Sequence, residues 1–117
     1  MIVGVGIDVC DVARLGERLE STPGLRERLF TEGERDLPLT NLAGRFAVKE
    51  SVAKALGSPG DLRWQEAEVV RLESGQPELV VTGSCALRAE ALGGTHWHVS
   101  ISHDGGIATA IVLLEAR

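Results

Sequence analysis

Four charged side chains fall within one 13-residue stretch, RFAVKESVAKALG (Arg45–Gly57), whose residues are nearly all good helix formers. At 3.6 residues per turn, Val48, Val52, Ala55 and Leu56 share one side, the ordinary core stripe. Lys49, Glu50 and Lys54 fall on the opposite arc with Phe46 and Ala53. Glu50 and Lys54, four apart, could form a surface ion pair contributing about 0.3–0.5 kcal/mol. Phe46 on the same arc argues instead for a face covered by a ligand or a partner subunit. A second carboxylate, Asp8, follows the apolar run Val5-Gly6-Ile7, where it needs a compensating partner. Two carboxylates with waters and a substrate phosphate are how Mg²⁺ is usually held, and Lys49 and Lys54 are then fitted to contact phosphate.

Other constellations carry less. The run HVSISHD contains Ser102, His103 and Asp104 in sequence, but successive strand residues point to opposite faces, so they cannot converge as a catalytic triad. His103, near the end of its strand, is either a phosphate or ribose contact or a hydrogen-bonded structural histidine; His96 and His98 are edge or surface residues. GVGIDV lacks the second half of a dinucleotide-binding glycine pattern. Cys10 and Cys85 have neither C-x-x-C nor zinc spacing and are expected as reduced thiols in or near the core.

The elements that must hold these residues read as an α+β order. MIVGVGIDV is a buried strand, DVARLGERLESTP a helix capped by Asp and stopped by Pro-Gly, and LRERLFTEGERDLPL a short helix and turn. The helix carrying the charged arc runs from about Leu42 to Leu56 and stops at SPGDLRW. EAEVVRLE and QPELVVTG form a hairpin turning at Ser74-Gly75, and SCALRAEALGG is a helix with a Gly-Gly stop. THWHVSISHD and GGIATAIVLLEA form a second hairpin at Asp104-Gly105-Gly106. The expectation is one domain over residues 1–117, a mixed or antiparallel sheet with packed helices.

Composition sets bounds on partners. The hydrophobic fraction of 44% and charged fraction of 25% are those of an ordinary globular chain. A net charge of −5 with 3% aromatics argues against nucleic-acid binding. No apolar run reaches the roughly 18 residues of a membrane span, and the N-terminal run lacks a signal peptide's basic flank, so a cytoplasmic protein is expected.

Three blocks together, GIDVCDVAR, LAGRFAVKESVAKALG and WHVSISHD, resemble the signature segments of the holo-acyl-carrier-protein synthases, the short 4′-phosphopantetheinyl transferases, in order and separation across essentially the whole chain. RLFTEGE and GQPELVVTG fit as well, and the wording is most similar to actinobacterial members. The resemblance implies an Mg²⁺-dependent enzyme that moves the 4′-phosphopantetheine arm of coenzyme A to a serine of an apo acyl carrier protein, releasing adenosine 3′,5′-bisphosphate. It implies metal binding by Asp8 and Glu50, Lys54 at the pyrophosphate, and Arg45, Lys49 and His103 around the coenzyme's phosphates. Arg14 occupies the family's carrier-binding position; Arg18, Arg26 and Arg28 are candidates by position, balanced by Glu17, Glu20 and Glu27 if that surface is merely solvated. A homotrimer with active sites at subunit boundaries is implied too. Cys10 and Ser51 depart from the commoner small or apolar residues, and ERDLPLTNLAG is compact where a coenzyme-side loop is expected. A metal-dependent phosphohydrolase and a non-catalytic trimeric binding module of the same fold are the competing readings.

Overall fold

The computed structural model describes residues 1–117. In chain order they form β1 (Ile2–Asp11), α1 (Val12–Ser21), α2 (Leu25–Leu29), α3 (Leu39–Ala55), β2 (Ala67–Arg71), β3 (Pro77–Val81), α4 (Gly83–Ala91), β4 (His96–Asp104) and β5 (Ile107–Glu115), with a 3-10 turn at Trp64–Glu66. Asp11 starts α1 as its sequence suggests: its carboxylate accepts from the Arg14 amide at 3.0 Å, satisfying one of the orphan donors of the first turn. The β4–β5 hairpin turns on Gly105 and Gly106, whose φ of 57° and 78° are the positive angles that a two-residue turn of this twist demands.

All strand pairing is antiparallel, in two sheets rather than one: β1-β5-β4, and β2-β3. The last strand, β5, is central and holds the first strand, β1, in register from Ile2 opposite Glu115 to Asp11 opposite Ile107. The chain ends therefore meet, the Ala116 amide donating to Met1 O at 2.7 Å and the Met1 ammonium to Ala116 O at 2.9 Å.

Helix α3 is the core, with ten of its 17 residues buried. It starts three residues earlier than periodicity suggests, at Leu39, because Pro38 can precede a first turn that needs no amide donor from it. Its backbone lies directly on the inner face of the large sheet, where β1 contributes Gly4 and Gly6 and β5 contributes Ala108 and Ala110, with Val112 and Leu114 filling the space beside the glycines. A Cβ at Gly6 would sit 1.8 Å from Ser51 O, and one at Gly4 2.2 Å from Ala55 O. The glycines of GVGID thus serve close strand-to-helix contact. Ser51, unusual in sequence, is fully buried and its hydroxyl reaches Ala47 O at 2.7 Å and Ala110 O at 3.2 Å, tying α3 to β5.

The sheet's other face is left open, so β1 is an edge strand buried on one face only, not the buried strand its apolar run suggests. Val5, Ile7 and Val9 of β1 stand exposed there beside Ile107 and Ile111 of β5, with Ile7 paired against Ile111.

Candidate active site

Close packing of β1 on α3 delivers Asp8 to the helix face that carries Glu50 and Lys54. Asp8 lies on the same inward face of β1 as Gly6 and Cys10. Lys54, in the last turn of α3, donates to Asp8 Oδ1 at 3.1 Å and to Ile7 O at 2.8 Å, so two of its three N–H groups are committed. Its side chain remains 49% exposed, against 21% for Asp8, which leaves the third N–H available to an incoming anion. Glu50, one turn earlier, is half-buried and has no ion pair. Burial raises its pKa, the charge of Asp8 raises it further, and Lys54 opposes both. The i,i+4 pair of Glu50 with Lys54 is absent; Lys54 turns to the strand instead. The result is two carboxylates that repel each other beside one partly free ammonium, an arrangement a cation and a phosphate would complete.

Lys49 is elsewhere. Its ammonium is buried on the other side of α3, 2.8 Å from Glu34 Oε1 with both side chains only 1% exposed, and it donates to Trp64 O at 3.0 Å and Ala67 O at 2.7 Å. All three of its donors are used, so the expected phosphate contact from Lys49 does not form in this arrangement. Arg45, one turn earlier on the same side, is also buried, its Nε without a partner. Burial and the neighbouring Arg71 lower its pKa, while Glu34 and Glu68 oppose that. Arg45 is therefore not gathered with Asp8 and Lys54. His103 is exposed at the end of β4 and approaches the start of α3, with Nε2 3.2 Å from Thr40 O. Since a carbonyl can only accept, Nε2 carries the proton. Gly44 makes room for this approach, since a Cβ there would lie 3.0 Å from His103 Nε2.

Two cavities flank Glu50. One, of about 290 Å³, lies between the second half of α3 and the segment after it, with Ala53, Ser58, Leu62, Arg63 and Cys85 among its walls. The other, of about 380 Å³, lies between α1, α2 and α3, with Arg14, Arg18 and Arg28 around an apolar floor that includes Leu15, Leu29 and Phe46. Arg14 and Arg18 are thus brought to one groove, joined by Arg28; Arg26 turns away to donate to Arg35 O at 2.9 Å. Glu50 and Trp64 line both cavities. Trp64, packed on Phe46 with ring centroids 5.6 Å apart, is the wall between them. Sequence reading missed Trp64 and Glu34; the only signal for Trp64 was the unexplained aromatic on the charged arc, which needed a partner. Cys10 and Cys85 are buried and free, as expected, and burial pushes the Cys85 thiol up to about 11.

The chain is similar to known proteins over nearly its whole length. Residues 4–112 match the family model described as the 4′-phosphopantetheinyl transferase superfamily. The holo-[acyl-carrier-protein] synthase of Micrococcus luteus is 56% identical over 119 residues, covering 100% of this chain and 94% of the relative. That of Streptomyces griseus is 54% identical over 98% of this chain and 99% of its own. Among solved structures, the ACPS–CoA complex of Chronobacterium ammoniagenes superposes with a TM-score of 0.85 at 30% identity, covering 97% of each chain. The Bacillus anthracis holo-(acyl-carrier-protein) synthase in complex with CoA (3′,5′-ADP) has a TM-score of 0.80 at 32% identity, covering 100% of this chain and 99% of that one.

Proposed function

The chain belongs to the 4′-phosphopantetheinyl transferase superfamily, and on that premise we propose that it is a holo-[acyl-carrier-protein] synthase: it transfers the 4′-phosphopantetheine arm of coenzyme A to a serine of apo acyl carrier protein, leaving adenosine 3′,5′-bisphosphate. The observation that carries the reading is the meeting of Asp8, Glu50 and Lys54 from β1 and α3, with a cavity on either side of Glu50.

In the transfer the serine oxygen bonds to the β-phosphorus, the bond from that phosphorus to the oxygen of the departing bisphosphate breaks, and the serine proton passes to Glu50 or to a water beside it. Negative charge builds on the bridging and leaving oxygens, where the third N–H of Lys54 is aimed to receive it. The donor set fits Mg²⁺. Asp8 and Glu50 supply two carboxylates with no third His, Cys, Asp or Glu grouped with them, which suits an ion that keeps waters and takes substrate phosphate oxygens. When bound there, Mg²⁺ supplies positive charge across the pyrophosphate. It would also relieve the repulsion that raises the Glu50 pKa. His103 and Arg45 remain candidates for the coenzyme's outer phosphates, Arg45 only after its side chain is drawn out of its buried position.

The groove of Arg14, Arg18 and Arg28 supports docking of the acidic carrier protein, a local positive rim on a chain whose net charge is −5. The exposed Val5, Ile7, Val9 and Ile111 support a homotrimer built through the outer face of the large sheet, since an apolar edge strand left in water invites association. The absence of any helix long and apolar enough to cross a membrane fits a cytoplasmic location.

The test is the intact mass of an apo acyl carrier protein after incubation with coenzyme A, Mg²⁺ and this protein, with a chelator control. A gain of one phosphopantetheine that vanishes with chelator supports the reaction and its metal. No gain across several carriers, with coenzyme A bound, would leave a binding module; phosphate release without a carrier would make the protein a phosphohydrolase.

A further inference from the structure

We propose that Lys49 is a positioning residue for the transfer reaction: it lines the smaller cavity beside Glu50, but its ammonium is committed to Glu34, Trp64 O and Ala67 O, so that it sets the Trp64 wall against Glu50 instead of binding the coenzyme's phosphates. The inference rests on the proposed transfer activity. Its basis is what the ammonium joins. Glu34 lies in the turn after α2, the helix that brings Arg28 to the carrier-side groove. Its carboxylate is itself fixed by the Thr31 amide, which donates to Oε1 at 3.0 Å. Trp64 O and Ala67 O, the other two acceptors, bracket the 3-10 turn that forms the wall between the cavities. The Phe30 ring lies 5.8 Å from the ammonium and closes the remaining side. Lys49 is also the immediate neighbour of Glu50 in α3. One charged group thus holds three segments in register: the arginine-bearing helix, the aromatic wall and the reactive carboxylate.

Stability alone does not ask for this construction. A buried ion pair costs so much desolvation that well-packed apolar residues often replace it without loss. What apolar residues lack is the directed hydrogen bonding that locks Trp64 O and Ala67 O to one point. Supporting groups of this kind keep a reactive constellation in its productive geometry, and a displacement of 1 Å can cost about 100-fold in rate.

The chain has only two lysines, Lys49 and Lys54, which makes the first arm simple. The native protein is treated with an amine-acylating ester, with and without coenzyme A and Mg²⁺, and the modified residues are mapped by mass spectrometry. Lys54 should react and be protected by the coenzyme, while Lys49 stays unmodified in both. Reaction at Lys49 that coenzyme A suppresses would overturn the proposal, and this arm needs neither a variant nor activity. In the second arm Glu34→Gln, Lys49→Met and the double variant are compared in a Trp97→Phe background, leaving Trp64 as the only indole. The expected result is a fall in kcat of about 10- to 100-fold, with KM for coenzyme A within about twofold, a red-shifted Trp64 emission, and no further loss in the double variant. A rise in KM with kcat intact in Lys49→Met, or wild-type kcat in Glu34→Gln, would overturn it. If Lys49→Met does not fold, the double variant, which leaves no unpaired buried charge, decides. If the wild-type protein transfers nothing, the transfer reading fails while the acylation arm still reports whether Lys49 meets the coenzyme.

Discussion

Burial and the charge of Asp8 push the Glu50 carboxyl above its ordinary value of 4.5, with Lys54 opposing them. A carboxyl whose pKa is raised by folding binds protons better in the native state than in the unfolded one. Its ionisation therefore costs stability, a cost absent below the unfolded pKa and complete above the raised folded one. Glu50→Gln is accordingly expected to melt higher than wild type at pH 7, with the gap closing as pH falls to about 4, while transfer drops by at least about 100-fold. Thermal melts across that range beside the mass assay check both halves; an unchanged or lower melting temperature at pH 7 would remove the electrostatic argument. Lys54→Met should lose a similar factor in rate, about 100-fold, because the free N–H is its contribution. The thiols give a third reading. With the Cys85 pKa at about 11 and that of Cys10 raised by burial and by Asp8, neither presents thiolate at pH 7.5. Iodoacetamide should leave the folded chain at its original mass and add two groups only in denaturant.

How β1 meets α3 decides whether Asp8 and Lys54 can touch at all. Gly6→Ala would place a methyl group 1.8 Å from Ser51 O, where backbone and not a flexible side chain must move. We expect a loss of at least about 1–3 kcal/mol, the usual cost of overpacking, read as a lower denaturation midpoint together with loss of transfer. Retained stability and activity would mean that strand and helix can separate without harm to the site. The same contact explains what could be read in advance. The order of helices and strands was legible from periodicity and glycine stops, but the start of α3 at Leu39 and the open outer face of β1 were not. Asp8, Glu50 and Lys54 were singled out from their types and spacing; the fold brings Lys54 to Asp8, while the i,i+4 pairing of Glu50 with Lys54 that spacing allowed does not form. The place of Lys49 was not legible: the sequence reading put it on the open arc with Glu50 and Lys54, whereas its ammonium is buried against Glu34, a partner from another segment. Trp64 stayed hidden for a related reason, since nothing local to residues 64–66 says that a tryptophan there will lie on Phe46. The two separate sheets likewise depend on β5 choosing both β1 and β4, a choice made in three dimensions.

Across the whole molecule, the outer face of β1 and β5 is an apolar surface that the single chain leaves uncovered. Ile7 stands at its middle, 60% exposed and opposite Ile111. Ile7→Arg is expected to keep the fold, since the side chain points away from α3, and to convert the proposed trimer of 12.5 kDa chains into monomers with little transfer activity. Sedimentation or light scattering with the mass assay checks this, and a wild-type monomer with full activity would exclude the assembly. The meeting of the chain ends has its own consequence in time. Asp8 and Lys54 lie 46 positions apart, whereas Asp8 and the Thr109 hydroxyl that donates to its carbonyl are 101 apart. Closing the longer loop costs more entropy. The first strand, β1, has no strand partner until β5, the last strand in chain order, has been made. A chain that stops short of β5 is therefore expected to carry Asp8 on a strand that no sheet secures.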